Sequence, residues 1–99
     1  MDEVPTRQHA EAHVKAVLEG DMESITNDFV PDMRDKVQGL AEKLPRPTED
    51  ADIEKIDMEE DHAMVQIRYS NERESVAIRT RWEELDGQPM IVAANVVED

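Results

Sequence analysis

Hydrophobic and polar residues alternate along most of residues 63–97, and this pattern predicts three antiparallel strands joined by two tight turns. The second turn contains Asp86-Gly87, and an Asp-Gly pair between two strand-like runs is typical of a two-residue hairpin loop. Glycine at the second loop position allows the positive φ that such a turn requires. With this loop, the predicted pairs are Leu85 with Gln88, Trp82 with Ile91, Thr80 with Ala93, Ile78 with Asn95, and Val76 with Val97.

The first turn is predicted at Asn71-Glu72, which pairs Tyr69 with Glu74, Ile67 with Val76, Val65 with Ile78, and Ala63 with Thr80. The two registers define the same two faces of the sheet. A slip of one residue in either hairpin would mix the apolar side chains of one face with charges. The face to be covered then holds Val65, Ile67, Tyr69, Val76, Ile78, Thr80, Trp82, Ile91, Ala93, Asn95 and Val97. The opposite face is polar near Arg68 and Arg79 and apolar along Met90, Val92, Ala94 and Val96.

A fourth strand is predicted at about Ala51 to Glu59, before the other three. Its alternation is imperfect, because Ile53 falls on the opposite side from Ile56 and Met58. A β-bulge near Glu54-Lys55, or an early bend, would restore the pattern.

Three helices are predicted before the strands, over Val4–Glu19, Asp21–Phe29 and Asp32–Leu44. Thr6 and Asp32 are predicted N-caps, Asp21 caps the second helix with Ser24 three residues on, and Gly20 suits a C-cap. Helices followed by an antiparallel meander indicate the α+β class, with the helices on one face of a sheet of about four strands.

The length and composition limit the size of the domain and the kinds of functional site it can hold. A chain of 99 residues forms one domain, buries only about 60–65% of its unfolded surface, and has a small core that oligomerisation would extend. Without cysteine it has no disulfide, thiolate metal site or cysteine nucleophile. No apolar run reaches the ~18 residues of a membrane span, and the acidic N-terminus is unlike a signal peptide, so we expect a cytoplasmic protein.

The net charge of −14 disfavours nucleic acids and anionic membranes as partners, because phosphate groups would be repelled. An acidic surface that keeps the protein soluble is one interpretation, and adaptation to a salt-rich cytosol is another. With only three glycines, the chain has no glycine-rich phosphate loop or dinucleotide fingerprint, and we expect no cofactor.

Short motifs near both ends resemble the nuclear transport factor 2-like (SnoaL-like, cystatin-like) family. Three features are similar to that family's pattern: the break between the first two helices at Gly20-Asp21, the end of the second helix at Val30-Pro31-Asp32, and the hairpin from Thr80 to Ile91. The resemblance implies that residues 1–99 form one domain in which a curved sheet wraps helices into a cone with an internal pocket. Members include isomerases, dehydratases, ligand binders and dimerisation modules. The hairpin that members often have between helices 2 and 3 is missing, which implies a reduced pocket mouth.

The predicted inner face holds the candidate ligand contacts Tyr69, Thr80, Trp82 and Asn95. Asn95 stands alone in an apolar row and would contact a ligand or make a structural hydrogen bond. Tyr69 and Trp82 combine large apolar area with one polar group each, and core packing is the alternative for both. No carboxylate or histidine falls on the inner rows of these strands, although the family's enzymes usually need an Asp, His or Tyr there for proton transfer, and Tyr69 alone is a poor general base near neutral pH.

His9 and His13 are spaced i, i+4 on helix 1, a spacing that can hold a metal, although surface histidines are the simpler interpretation and no metal site is predicted. His13 borders the apolar stripe and could reach the pocket. His62 is expected to pair with Glu60 or Asp61. Arg68, Arg79 and Arg81 share the outer face, where they would pair with acidic groups, meet a second subunit, or bind an anion.

These patterns lead to two hypotheses. In the first, the protein is a homodimer with a binding or assembly role, and its interface is formed by Met90, Val92, Ala94, Val96, Arg79 and Arg81. In the second, it is a cofactor-independent isomerase or dehydratase that places Tyr69, Asn95 and His13 around a small apolar substrate. The inside of the cone distinguishes them, because a large cavity favours a ligand and a filled core favours assembly.

Overall fold

The computed structural model describes residues 2–97, and the fold is α+β. Helices α1 (Glu3–Glu19), α2 (Met22–Asn27) and α3 (Val37–Glu42) come first, with a 3-10 helix (Pro31–Lys36) directly before α3. The strands are β1 (Asp50–Met58), β2 (Ala63–Ser70), β3 (Ser75–Leu85) and β4 (Gln88–Val97). They form one antiparallel sheet in the order β1-β2-β3-β4, so that β1 and β4 are its edges.

The first hairpin keeps the predicted faces but not the predicted pairs. Tyr69 pairs with Val76, and Val65 pairs with Thr80, so the register differs by two residues from the predicted one. The loop is longer because the Asn71 carboxamide oxygen accepts hydrogen bonds from the backbone N–H groups of Arg73 (2.8 Å) and Glu74 (3.0 Å). An error of two residues preserves side-chain parity, and the alternate residues Ala63, Val65, Ile67 and Tyr69 are all buried.

The second hairpin begins as predicted and then departs at a bulge. Asp86 and Gly87 both have positive φ (52° and 84°), as a type I′ loop requires, and Trp82 pairs with Ile91. Val92 is an extra residue without a partner, and from there the register shifts by one. The predictions that Ala93 faces Thr80 and Asn95 faces Ile78 are therefore wrong; the partners are Ala94 and Val96.

The bulge has a clear physical consequence for the end of β4. Without the extra residue, the Asn95 amide would face the helices and Val96 would face solvent. With it, Ala94 and Val96 pack against the core, whereas Asn95 pairs with Arg79 and is exposed. The register with the bulge is the more stable one, because it buries an apolar valine and leaves a polar amide in solvent.

Strand β1 contains the other irregularity, between Ile53 and Lys55, which confirms the predicted bulge at this point. The extra residue at this position is Glu54, and the shift brings Ile53, Ile56 and Met58 into contact with the core. The turn that follows is closed by a hydrogen bond from the Glu59 N–H to the His62 carbonyl (2.8 Å).

The helices differ from the prediction mainly at their ends. Gly20 ends α1 with φ 70°, and Asp21 caps α2 through Ser24, both as predicted. Thr6 is not an N-cap; it lies fully buried inside α1 and donates to the Asp2 carbonyl. Helix α2 ends before Phe29. The predicted third helix is divided into a 3-10 helix, which begins at Pro31 rather than at Asp32, and the short helix α3.

The core lies between one face of the sheet and the helices. Trp82, Val65, Ile67 and Ile91 are completely buried there, and α1 contacts β1, β2 and β4. Ile78 belongs to the same cluster. Burial of such large apolar side chains is the main source of stability for a domain of this size.

Candidate functional site

His13 is the ionisable side chain at the centre of the candidate site. Only 4% of its surface is exposed, and its ring meets the rings of Phe29 and Trp82 edge-on, with both centroid distances at 6.0 Å. Its Nδ1 lies 2.8 Å from Oδ2 of Asp28. A buried polar ring without a partner would cost free energy, so this contact is what makes the position tenable.

Asp28 is placed by the chain segment that follows α2. The Ile91 N–H donates to the Asp28 carbonyl (2.8 Å), and the Val30 N–H donates to the Ile91 carbonyl (3.0 Å). These two bonds form a short parallel bridge between Phe29 and Ile91 on the free side of β4. The bridge fixes the Asp28 backbone, and its carboxylate, with 27% of the side chain exposed, reaches from the surface to His13.

A second set of polar groups lies in the sheet beneath His13. The Trp82 indole N–H donates to the Thr80 hydroxyl (2.8 Å), which in turn donates to the Val65 carbonyl (2.9 Å). Because Thr80 and Trp82 are alternate residues of β3, both side chains face the helices. Their polar atoms satisfy one another, so these two residues have a structural role in the core.

Between the helices and the sheet is a cavity of about 40 Å³. Apart from His13, Tyr69 and Thr80, its walls are hydrophobic side chains, which include Val17, Phe29, Val37, Leu40, Ile78 and Ala94. A water molecule needs at least about 10–15 Å³ by this measure, whereas sites for larger ligands measure about 300–1,000 Å³. The core is therefore nearly filled.

Tyr69 brings a phenol to this cavity with only 2% of its surface exposed. Burial, and to a smaller extent the nearby Asp28 carboxylate, raises the pKa of Tyr69 well above its ordinary value. Within residues 2–97 the phenol has no hydrogen-bond partner, so it is free to bond a molecule in the cavity. Tyr69 is a neutral donor at neutral pH.

The structure brings together most of the residues that the sequence singles out and adds one. His13, Tyr69 and Thr80 line the cavity, and Trp82 lies against His13. Asn95 is exposed on the opposite face, so its predicted place in the pocket is wrong. Asp28 was not predicted, because its link to His13 spans fifteen residues and no local pattern indicates it.

The sequence also predicted a partner for His62 and raised a metal site at His9 and His13. Nδ1 of His62 lies 2.7 Å from the Asp61 carboxylate, as predicted, and this contact holds the pKa of Asp61 below its usual value. The His13 Nδ1 is occupied by Asp28. Across residues 2–97, no three His, Asp or Glu side chains converge in a way that could hold a metal ion.

The exposed sheet face differs from the predicted interface because of the bulge. Ala94 and Val96 face the core, so they leave the predicted apolar row, and the pairing places Met90, Ala93 and Val97 on the exposed face. The arginines find acidic neighbours, as one interpretation expected: Arg68 pairs with Glu54, and Arg81 pairs with Glu83, each at 3.0 Å. Arg79 is exposed and forms no ion pair with a described residue.

Comparison of this chain with protein-family models, with curated proteins and with solved structures finds no match. None of the helices in the described part is long and apolar enough to cross a membrane. The functional argument therefore rests on the geometry around His13 and on the surfaces of the sheet.

Proposed function

We propose that this protein is a small-ligand-binding domain of nuclear transport factor 2-like form, whose ligand lies against His13 and Tyr69. The order of elements supports the family: helices first, then a four-stranded antiparallel meander with the helices on one face. The site is the cavity between the helices and that face. Fold alone does not define a function, so the proposal depends on the side chains in the cavity.

The observation on which it depends is the buried His13, held by Asp28 over 2.8 Å at the wall of an apolar cavity. Apolar side chains would fill this space at lower cost, since each buried polar group must be compensated. Because the His13 Nδ1 faces the Asp28 carboxylate, Nε2 is the ring nitrogen that remains to bond a ligand. Nε2 and the Tyr69 hydroxyl are therefore the polar contacts that a ligand can use.

The size and chemistry of the cavity define the ligand class. Its volume of about 40 Å³ is far below that of a site for a large ligand, so by this criterion the nearly filled core also supports an assembly role. The space that remains corresponds to roughly three water-sized groups. The remaining walls are mainly aliphatic, and a charged ligand would lose its hydration without compensation. The ligand is thus a neutral molecule of roughly three or four non-hydrogen atoms with one hydroxyl or carbonyl oxygen.

The test is an NMR titration of the three histidine Cε1–H signals with acetone, 2-propanol and acetamide as probes. At least one probe should shift the His13 signal in a saturable way and leave His9 and His62 unchanged. Tyr69→Phe should weaken binding, and His9→Gln, a change on the same helix, should not. If no probe shifts the His13 signal, or if Tyr69→Phe binds equally well, the proposed site is wrong.

Proton-transfer catalysis at the same site is a second candidate, favoured by the position of Asp28. Its carboxylate also lines an open groove between α1 and α2, so the pair joins the cavity to solvent. A histidine oriented by a carboxylate can act as a general base, which suits an isomerase or dehydratase. Exchange of acetone methyl protons in D2O should then be faster with the protein than with His13→Gln. Equal rates would exclude catalysis on this probe and leave ligand binding standing.

Homodimerisation through the exposed sheet face is a third candidate. It is favoured by Arg79, which is exposed, forms no ion pair with a described residue and lies on the same sheet face as Met90 and Val97 of an acidic chain. Sedimentation at micromolar concentration should show a dimer that strengthens with salt, because salt screens the repulsion between two copies of charge −14. Met90→Glu should give a monomer, and Val4→Glu, at an exposed position on α1, should not. A monomeric wild type at high salt would contradict this candidate.

A further inference from the structure

The two edges of the sheet are protected to very different degrees. Edge strand β1 contains Asp50, Asp52, Glu54 and Asp57, and such charges discourage pairing with another chain. Edge strand β4 has no charged residue from Gln88 to Val97, in a chain with 36% charged residues. An uncharged edge strand is a template for an added strand.

The free side of β4 is occupied only near its start. Ile91 exchanges its backbone hydrogen bonds with Asp28 and Val30 there. Residues 92–97 make no backbone hydrogen bond to any described residue outside the β3–β4 ladder. About six residues of edge, or roughly 20 Å of strand, are therefore open.

A groove of about 330 Å³ lies beside this open edge, between β4 and α3. It is lined by Ala94 of β4 and by Lys36, Gly39, Leu40 and Lys43. Two of the four lysines of a strongly acidic chain thus flank an uncharged strand. Lys36 is the last residue of the 3-10 helix and Lys43 directly follows α3, so the two lysines stand at opposite ends of α3, roughly 10 Å apart, with Leu40 between them.

We infer that the open edge of β4 and this groove bind an extended peptide of a partner protein with the pattern acidic-x-apolar-x-acidic. Alternate residues of a strand lie ~6.6 Å apart on one face, so the two acidic residues of the peptide are ~13 Å apart. The long side chains of Lys36 and Lys43, roughly 10 Å apart, can reach them on either side of Leu40. The peptide backbone adds a fifth strand to the sheet, and the side chains provide specificity. Acidic side chains can pair with Lys36 and Lys43 there, whereas an acidic peptide is repelled by the net negative charge of the chain elsewhere.

The direct test uses the fluorescent peptide acetyl-Thr-Glu-Thr-Val-Thr-Glu-Thr-amide and the whole chain. Fluorescence anisotropy should show saturable binding that weakens with salt, and the same peptide with lysine in place of glutamate should bind at least about tenfold more weakly. Hydrogen exchange of the amides within residues 92–97 should slow on binding, whereas β1 amides should not change. A peptide N-methylated at alternate residues should lose binding, since it cannot form the ladder.

Variants separate the groove from general electrostatics. The double change Lys36→Glu/Lys43→Glu should raise the Kd at least about tenfold, whereas Lys15→Glu/Lys55→Glu, with the same net charge, should change it less than about twofold. Gly39→Gln offers a steric test, because a Cβ at Gly39 meets no atom within 4 Å in the free protein. That variant should fold at least as stably as wild type and lose binding.

Three results would overturn the inference. The first is absence of peptide binding, and the second is equal weakening by the two lysine double variants. The third is protection of residues 92–97 that rises with protein concentration in the absence of peptide, because a second copy of the chain would then occupy the edge. None of these results depends on a ligand in the His13 cavity, so the inference and the proposed function can fail separately.

Discussion

The His13 ring and the Asp28 carboxylate are joined at 2.8 Å across fifteen residues, and this contact ties α1 to the segment that follows α2. The same segment bridges to β4 through Phe29 and Ile91. One polar contact therefore connects a helix to the edge of the sheet, at the wall of the apolar cavity in the core.

Asp28→Ala should lower the free energy of unfolding by about 1–2 kcal/mol, because it leaves the buried His13 Nδ1 without a partner. Urea denaturation followed by the single tryptophan measures this change. Asp32→Ala, which removes an exposed carboxylate nearby, should stay within about 0.5 kcal/mol of wild type. Equal stability of the two variants would show that the contact contributes nothing.

Tyr69 should titrate abnormally, and it is the only tyrosine in the chain. Burial raises the pKa of its phenol, so the unfolded chain loses this proton at about pH 10 while the folded protein still holds it. The free energy of unfolding should therefore be unaffected by this group below about pH 10 and should fall as the pH rises above that value. Absorbance at 295 nm should show the phenolate forming later in the folded protein than in denaturant, and Tyr69→Phe should remove the added alkaline loss of stability.

The Thr80 hydroxyl should matter more than its methyl group. Thr80→Val keeps the volume but removes the acceptor of the Trp82 N–H, and it should lower stability by about 1–3 kcal/mol. Thr80→Ser loses a methyl group but keeps both hydrogen bonds, so its loss should be smaller. Thermal unfolding of both variants checks this order, and a more stable Thr80→Val would show that the hydroxyl is not required.

Much of the sheet follows from local pattern. Alternation places Val65, Ile67, Ile78 and Trp82 on the buried face even where the register is wrong, because an error of two residues preserves parity. Asp86-Gly87 identifies the second loop by its own backbone preference. The first loop could not be placed in this way, since it depends on backbone hydrogen bonds donated to the Asn71 side chain, which the residue type alone does not specify.

The features that could not be predicted depend on long-range contacts. The segment from Met90 to Ala94 is entirely uncharged, so no buried charge reveals where the extra residue of β4 lies. Asp28 follows a short helix and has the sequence character of an ordinary surface acid, yet the bridge to Ile91 turns it toward His13. Both features arise where β4 meets residues 28–30, about sixty residues earlier in the chain.

The bulge at Val92 makes a prediction that separates it from an unbroken ladder. Because Val96 packs against the core and Asn95 is exposed, Val96→Asp should lower the free energy of unfolding by about 1–3 kcal/mol, whereas Asn95→Asp should change it by less than about 0.5 kcal/mol. Both variants add one negative charge to the same strand, so each controls for the electrostatic cost of the other. Urea denaturation gives the two values. An unbroken register would reverse their order, since it would bury position 95 and expose position 96.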